Sequence, residues 1–358
     1  MNQTPIRRVA IVDGTGAGQA LLRELLERNV ECLHLRPHFE SAAFDPLGYD
    51  GDLGFAGDVS EAISLLSELT PTAVLAGSPC ATGYAEAVAD GLGLPTHSIE
   101  RFAARRYVES LLRAARPETK SLTGRQAQVV RGQQFVVNTV SNGGSHHITD
   151  AWRLLDIRED EVPGPGALEL CDPASAITAD VFDRARVALD DLGVRFGAAH
   201  AQFALSAKGL GLVGATASLM SLGLPGAPAS GSRRQAAVWA DCLVSDAPAA
   251  LRQTGDLTYR PTRRMAVLLF RFRHRARVTD LDGLERLKRL TSFASHESPL
   301  ALGEIVEPRT TWRGQGGLVH LIHDDPAQIG ADIRQFRAWE ARAELYGLGP
   351  LIGTEDSR

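Results

Sequence analysis

The sequence predicts an α/β protein in which an N-terminal parallel sheet precedes a larger α+β part built on an antiparallel sheet. Two patterns predict this fold class. In the first hundred of the 358 residues, short apolar strands alternate with amphipathic helices, as is typical of βαβ units. Beyond residue 134, strand patterns come in pairs around short turns, as is typical of antiparallel hairpins.

The N-terminal alternation supplies three strands and three helices. A strand over residues 8–13 (RVAIVD) meets a Gly-rich turn, and Asp58 is a plausible N-cap for a later helix. Helices on both faces of the sheet are expected, and residues 1–100 are assigned to this domain. The remaining predicted elements are a helix over 19–28, a strand over 31–35, a helix over 59–69, a strand over 73–76 and a helix over 84–91.

The rest of the chain divides into three further parts. Residues 101–134 hold a helix over 102–113 and a short segment. Residues 135–222 form a central sheet with hairpins over 135–155 and 198–219 and a helix over 180–192. A Gly-, Pro- and Ser-rich boundary opens residues 223–358, a C-terminal α+β part. Its predicted elements are helices over 234–244, 281–290 and 327–345, and strands over 265–273 and near 317–322.

The composition excludes several classes of function. The chain has 38 basic and 43 acidic residues, a net charge of −5 and no basic block, which argues against a nucleic-acid binder. Its longest apolar runs, such as residues 266–270, are too short to span a membrane, and a signal peptide is not apparent. The scattered cysteines Cys32, Cys80, Cys171 and Cys242 indicate isolated thiols of a cytoplasmic protein.

The Gly-rich turn at residues 14–18 (GTGAG) does not predict a dinucleotide site. The third glycine of a GxGxxG motif is absent at its place. The second strand ends in His34, Leu35 and Arg36, without the acidic residue that would bind the adenine ribose. A tight strand-to-helix turn explains the glycines without a ligand.

Two strands carry candidate acid–base residues. In a regular strand His146, Ile148 and Asp150 share one face, so His146 and Asp150 could act as a pair, although a polar strand face is the plainer interpretation. His200 and Gln202 repeat the alternation, and glutamine is a poor metal ligand.

Two C-terminal patterns stay ambiguous from local sequence. Four arginines alternate along a predicted strand, which indicates an anion-binding ridge or, more commonly, charges that protect a sheet edge. His296 and Glu297 lie in a predicted loop. The four arginines are Arg271, Arg273, Arg275 and Arg277.

The order of elements resembles the ATP-grasp superfamily, in particular the bacterial amino-acid (dipeptide) ligases that couple a carboxylate to an amine. The similar stretches are VAIVDGTGAGQALLRELLERNVECLHLRPH, the βα unit over residues 73–115, QQFVVNTVSNGGSHHITDAWRL, LGVRFGAAHAQFALSAKGLGLVGATASLM and LTSFASHES. The resemblance implies an ATP-grasp-like fold with a pre-ATP-grasp domain at the N-terminus, and a small amino-acid-like substrate.

The chain departs from the ligases where they handle phosphate. The resemblance implies a lid subdomain with lysines, but only 17 residues, 118–134, are available for it, and the chain has three lysines: Lys120, Lys208 and Lys288. Gln202 and Gly214 stand where the resemblance implies glutamates that hold Mg²⁺, and Ser218 replaces an arginine. We therefore predict that ATP and Mg²⁺ are lost and that no cofactor is used.

Three functions stay open. The first is an ATP-independent enzyme of natural-product biosynthesis that condenses an amine with an aldehyde and cyclises the product, or transfers an acyl group. The others are an ATP-dependent ligase with an unusual lid and a non-catalytic partner of another enzyme. A homodimer is the commonest assembly for such a chain, and neither nucleic acid nor membrane is expected as a partner. For the first function, the catalytic candidates are His146, Asp150, His200 and Gln202, and the substrate-binding candidates are Arg153 as carboxylate anchor, Trp152, Ser218, His296 and Glu297.

Overall fold

The structure is a computed structural model, and most of the chain is described. The helix predicted over 102–113, the short segment up to residue 131, Lys120, Lys208, Cys80 and the boundary at 222–232 lie outside the described residues. Those residues are 7–14, 17–37, 48–56, 58–78, 81–96, 132–155, 166–207, 209–220, 234–244, 259–298, 300–308 and 317–350.

A parallel sheet forms the N-terminal part, as predicted, but it has four strands where the sequence predicted three. Helix α1 packs on one face against Val9 and Ile11, and helices α2 and α3 pack on the other against Ala10 and Val12. The side chain of Asp58 caps α2 by accepting a hydrogen bond from the Glu61 N–H at 2.9 Å. The sheet order is β3-β2-β1-β4, with β1 (Arg8–Val12), α1 (Ala17–Leu26), β2 (Glu31–Pro37), β3 (Gly51–Ala56), α2 (Val59–Leu69), β4 (Ala73–Ala76) and α3 (Thr82–Gly91).

The Gly-rich turn after β1 is pressed against the turn after β4. The Gly18 N–H donates to the Gly77 carbonyl at 2.9 Å, and a Cβ on Gly18 would lie 2.8 Å from the Gly77 Cα. The Gly14 N–H donates to Nε2 of His34 at 3.2 Å. Close approach of two backbones therefore explains Gly18 and Gly77 by packing alone.

An eight-stranded antiparallel sheet forms the larger part of the fold. Its order is β12-β14-β10-β7-β6-β5-β8-β9. The strands are β5 (Gln133–Asn142), β6 (Ser145–Leu155), β7 (Ala167–Leu170), β8 (Phe196–Ser206), β9 (Gly209–Thr216), β10 (Arg264–Leu269), β12 (Phe293–Glu297) and β14 (Leu318–His323). A separate three-stranded sheet contains β11 (Ala276–Asp280), β13 (Ile305–Val306) and β15 (Gly347–Gly349).

Helices cover both faces of the eight-stranded sheet. Helix α4 (Ala176–Leu192) packs on the face that carries Ile148, Ala201 and Phe203, which we call the α4 face. Helix α5 (Gln235–Val244) packs with α1 on the opposite face, against Val140 and Ala198, and we call this the α5 face. The α5 helix therefore joins the two sheets. No helix in the described residues is long and apolar enough to cross a bilayer.

Three predictions for the C-terminal part were wrong. The arginine-rich strand ends at Leu269, because Phe270 and Phe272 turn into a buried cluster with Phe336 and Tyr346. Arg271 is consequently buried, Arg273 and Arg275 lie in an exposed connection, and Arg277 belongs to β11, so the four arginines form no continuous ridge. The predicted loop at His296–Glu297 is the edge strand β12, and the helix over 281–290 is a 3-10 helix, Asp282–Arg289.

A buried arginine attaches the last helix, α6 (Pro326–Ala341), to the eight-stranded sheet. Arg337 forms an ion pair with Glu340, donates to the carbonyl oxygens of Gly166 and Leu269, and lies 4.9 Å from the Phe336 ring. The side chains of Arg337 and Glu340 are only 5% and 6% exposed. Such a pair is stable only while every member keeps its partners.

Replacing Gly77 with alanine is expected to destabilise the protein by about 1–3 kcal/mol, because the new Cβ would lie 2.2 Å from the Asp13 carbonyl oxygen. Urea denaturation measures this change. Gly211→Ala is the matched control, since Gly211 lies in β9 with no atom within 4 Å of the added Cβ. Equal stability of the two variants would show that the turn at Gly77 can move away from the turn after β1 at little cost.

Acidification is expected to destabilise the protein through His320. This β14 side chain is fully buried, bonded at Nδ1 to the Ser295 hydroxyl at 3.0 Å, and has no partner at Nε2 among the described residues. Burial lowers its pKa to about 4, so below about pH 6.5 the unfolded chain binds a proton that the folded chain refuses. Stability is thus full above this pH and falls by about 3 kcal/mol as the pH approaches 4.

Urea denaturation of the wild type and of His320→Gln is measured at several pH values. Titration of the carboxylates affects both proteins equally, so the difference between their pH profiles reports His320. The free energy of unfolding of the variant should depend less steeply on pH between about 6.5 and 4. Parallel pH profiles would contradict the assignment.

Candidate functional site

Three neighbouring strands bring three of the four predicted catalytic residues together on the α5 face. Asn138 in the middle strand β5 is the cross-strand partner of Asp150 in β6 and of His200 in β8. Gln202 lies two residues further along the same face of β8, directly opposite Gly214 in β9. Asp150, His200 and Gln202 therefore share one surface, with Asn138 between the first two.

A β-bulge at Thr149 removes His146 from this surface. Asn138 pairs with Asp150 but Thr139 pairs with Ile148, so Thr149 is an extra residue in β6. The bulge reverses the alternation, so that His146 and Ile148 lie on the α4 face while Asp150 lies on the α5 face. The predicted shared face of His146 and Asp150 was therefore wrong.

His146 instead connects β6 to the end of α4. Its Nδ1 lies 2.7 Å from the Ser141 hydroxyl and its Nε2 lies 3.3 Å from a carboxylate oxygen of Asp190. Burial lowers the pKa of His146, and the nearby Asp190 partly opposes this effect. Both ring nitrogens are thus engaged by residues of the α4 face.

The carboxylate of Asp150 is buried and saturated by neutral donors. Its Oδ1 accepts from the side chains of Asn138 and Trp152, both at 2.5 Å, and its Oδ2 accepts from the Thr149 hydroxyl at 2.9 Å. Burial raises the pKa of Asp150, and the three hydrogen bonds oppose the rise. In this arrangement Asp150 fixes the orientation of the Asn138 amide, and the Trp152 indole N–H is one of the donors that hold the Asp150 carboxylate in place.

On the same surface, His200 presents a basic nitrogen that has no partner among the described residues. Its Nδ1 lies 3.3 Å from the Ser218 carbonyl oxygen, which can only accept, so Nδ1 carries the proton and Nε2 keeps its lone pair. Burial lowers the pKa of His200, which keeps the ring neutral near pH 7. A neutral, half-buried imidazole whose Nε2 keeps its lone pair can accept a proton from a substrate.

The segment at Ser218–Met220 is held over these strands by α5. The Gln235 side chain accepts from the Met220 N–H at 2.9 Å and donates to the carbonyls of Thr139 and Ala199 at 2.8 and 2.9 Å. Ser218, a candidate from the sequence, thus lies beside the cluster, while Gln235 was not singled out. Sequence patterns do not reveal the role of Gln235, because this role depends on hydrogen bonds between parts of the chain that are far apart in the sequence.

Asn138 was also missed by sequence reasoning. Its Nδ2 donates to Asp150 and lies 3.1 Å from the Met220 sulfur, but its Oδ1 has no hydrogen-bond partner among the described residues. The Ser218 hydroxyl likewise lacks one, and the two residues are only 3% and 5% exposed. No local signal marks Asn138, because its importance comes from the pairing register.

Three predicted substrate-binding residues lie elsewhere. Arg153 is on the α4 face, where it forms an ion pair with Glu169 of β7. His296 and Glu297 lie in β12, four strands away from β6 in the sheet order. Burial raises the pKa of Glu297, and Arg23 and Arg234 oppose the rise, which places Glu297 near α1 and the start of α5.

The thiols and the acidic groups form no further centre in the described part of the chain. Cys32, Cys171 and Cys242 are free and buried, and burial raises the pKa of both Cys32 and Cys171 to about 12. No group of three or more His, Cys, Asp or Glu residues in this part is arranged to hold a metal ion. The α5-face cluster is therefore the candidate site.

Comparison with solved structures identifies the fold. The structure of an L-amino acid ligase from Bacillus licheniformis superposes with a TM-score of 0.74 at 13% identity, over 98% of this chain and 100% of that one. The chain has the ATP-grasp fold. A phosphoribosylglycinamide synthetase from Anaerococcus prevotii superposes with a TM-score of 0.65 at 9% identity, over 96% and 100% of the two chains. An N5-carboxyaminoimidazole ribonucleotide synthetase from Thermotoga maritima gives 0.64 at 10%, over 97% and 100%.

The ATP-grasp fold confirms the fold class that the sequence predicts. No family model matches the sequence, and no curated protein sequence matches it significantly, so the likeness is one of structure. Gln202 in β8 and Gly214 in β9 are direct cross-strand partners.

Proposed function

We propose that this chain is an enzyme that acts on a small amino-acid-like substrate at the α5 face, without ATP or Mg²⁺. The carrying observation is that Gln202 and Gly214 face each other across β8 and β9. The side chains at these positions are an amide and a single hydrogen atom, which cannot act as two carboxylate ligands. Mg²⁺ is bound through carboxylates and substrate phosphates. The remaining carboxylate of the cluster, Asp150, already accepts three hydrogen bonds.

The chemistry that fits this cluster is proton transfer between oriented reactants. His200 Nε2 accepts the proton that an ammonium group must lose before its nitrogen can attack a carbonyl carbon, and Gln202 lies beside His200 to orient the substrate. Holding two reactants together supplies roughly 7–11 kcal/mol of the barrier reduction, so phosphoryl transfer is not needed for catalysis.

Suitable reactions are condensation of an amine with an aldehyde followed by cyclisation, and acyl transfer from an activated donor. We assign such a reaction to natural-product biosynthesis in the cytoplasm, where the cysteine thiols stay reduced.

An ATP-dependent carboxylate–amine ligase is the alternative, favoured by the superposition on an L-amino acid ligase. Isothermal titration of the full chain with Mg-ATP, alone and with L-amino acids, separates the two. Our proposal expects no binding tighter than about millimolar. Tighter binding, or release of ADP or AMP together with a dipeptide, would establish the ligase instead.

Turnover is tested by incubating the protein with panels of amines and aldehydes, or of amines and activated acyl donors, and analysing the products by mass spectrometry. Our proposal expects a product without nucleotide. A non-catalytic partner would be favoured if no product forms in vitro and if a strain that carries His200→Ala still makes the end product of the biosynthetic pathway.

A further inference from the structure

The α5-face cluster presents hydrogen-bond acceptors that the protein leaves unused. Asn138 must donate through Nδ2 because Asp150 accepts from it, so the amide cannot flip and its buried Oδ1 stays an acceptor. His200 has an acceptor at Nε2, because its Nδ1 proton faces the Ser218 carbonyl. The buried Ser218 hydroxyl also lacks a partner among the described residues. Buried polar atoms are rarely left unpaired, so a ligand that donates hydrogen bonds fits here.

The same cluster contains a buried acidic group without a cation. All three partners of Asp150 are neutral side chains, and no cation pairs with it in the described part of the chain. An ionised carboxylate in an apolar interior is costly unless an opposite charge lies close by. A positively charged ligand at Asn138 would supply that charge one residue away from Asp150.

We propose that Asn138, His200 and Ser218 bind the primary ammonium group of the substrate, with Asp150 as its buried counter-charge. This inference rests on the proposed function, since it names the substrate group that the same site would receive. An ammonium has three N–H donors for the three acceptor atoms, whereas a carboxylate or phosphate would meet acceptors and a negative charge. Carboxylates that hold Mg²⁺, together with an arginine, would favour a ligand that carries phosphate or another anionic group. The residues present here favour a cationic ligand instead.

The arrangement also explains how the bound group becomes reactive. When the ammonium passes one proton to His200 Nε2, the nitrogen regains its lone pair and the imidazole becomes cationic. No oxidant, reductant or nucleotide enters this step. Asp150 is a positioning residue in it, because it acts through Asn138 and through its charge.

The side chain of Trp152 provides a direct readout, because its indole N–H donates to Asp150. The chain has four tryptophans, so a ¹⁵N–¹H spectrum of the full chain shows four indole signals at most, and Trp152→Phe identifies one of them. Ethylammonium is titrated at constant ionic strength. Tetramethylammonium, which has charge but no N–H, and acetate, which is an anion, are titrated in parallel.

Two variants and one control test the roles of charge and hydroxyl. Asp150→Asn keeps the size and an acceptor oxygen but removes the charge, and is expected to weaken ethylammonium binding at least about tenfold. Ser218→Ala, which leaves Asp150 and its donors intact, is expected to weaken it by about tenfold. Ser64→Ala, at an exposed position of α2, should leave the affinity unchanged.

The inference is supported if only ethylammonium shifts the Trp152 signal saturably and both variants weaken that binding. An absent shift, an equal shift with tetramethylammonium, stronger binding of acetate, or unchanged affinity in folded Asp150→Asn would each overturn it. Failure of the proposed function gives a different result, since tight Mg-ATP binding is measured without any amine. Absent amine binding with absent Mg-ATP binding would overturn the ammonium site alone.

Discussion

Replacing Arg337 with leucine is expected to destabilise the protein by about 3–5 kcal/mol, a large fraction of the roughly 5–15 kcal/mol by which an ordinary protein is stable. The change leaves Glu340 as a buried charge whose remaining partners are neutral groups such as the Arg271 N–H at 2.8 Å. It also removes the donors to the Gly166 and Leu269 carbonyls, which attach α6 to the sheet. Urea or thermal denaturation measures the loss.

The matched control is Arg184→Ala in α4. Arg184 also forms an intrahelical ion pair, with Asp180 at 3.2 Å, but the two side chains are 52% and 49% exposed. Exposed pairs contribute about 0–1 kcal/mol, so this variant should unfold nearly like the wild type. If Arg337→Leu destabilised the protein as little as Arg184→Ala, the ion pair with Glu340 would not be what attaches α6 to the sheet.

Replacing His200 with alanine is expected to lower kcat/KM for the amine-dependent reaction by about 10²–10⁴-fold, because the variant loses the imidazole that is positioned beside Asn138 and Gln202 to accept a proton. The measurement uses the amine and carbonyl pair that gives product without nucleotide. Near-native unfolding of the variant would show that the loss is one of chemistry.

His146→Ala distinguishes the structure from the regular-strand interpretation. His146 bonds Ser141 and Asp190 on the α4 face, so its removal should change kcat/KM by no more than a few-fold and act mainly on stability. Equal losses in the His146 and His200 variants would mean that both histidines serve the reaction, which contradicts the bulge at Thr149.

Much of the N-terminal part could be predicted from the sequence, because its signals are local. The helix over residues 59–69 has both an apolar period and the Asp58 cap, and its predicted bounds match α2. Strand β3 (GDLGFA) was missed because its two glycines interrupt any strand pattern, and edge strand β12 (FASHE) because it is short and largely polar. Partner strands, not their own residues, stabilise such segments.

The candidate site was predictable only in part for a related reason. Asp150, His200, Gln202 and Ser218 were found from residue chemistry and resemblance, and the structure places all four on or beside one surface. Asn138 and Gln235 were not, because their roles come from hydrogen bonds to residues far along the chain. The separation of His146 from Asp150 could not be read from alternation, since a bulge adds a residue without changing the polar pattern.

The extra residue in β6 also has an evolutionary consequence. Substitutions before Thr149 alter the attachment to α4, whereas substitutions after it alter the cluster around Asp150, so the two halves of one strand can vary under separate selection. Length changes at this position are different. Deleting one residue there would rotate every side chain on one half of the strand to the opposite face, removing the carboxylate from the cluster while leaving the composition almost unchanged. Homologues that differ in length here should therefore differ in chemistry even where their residues align.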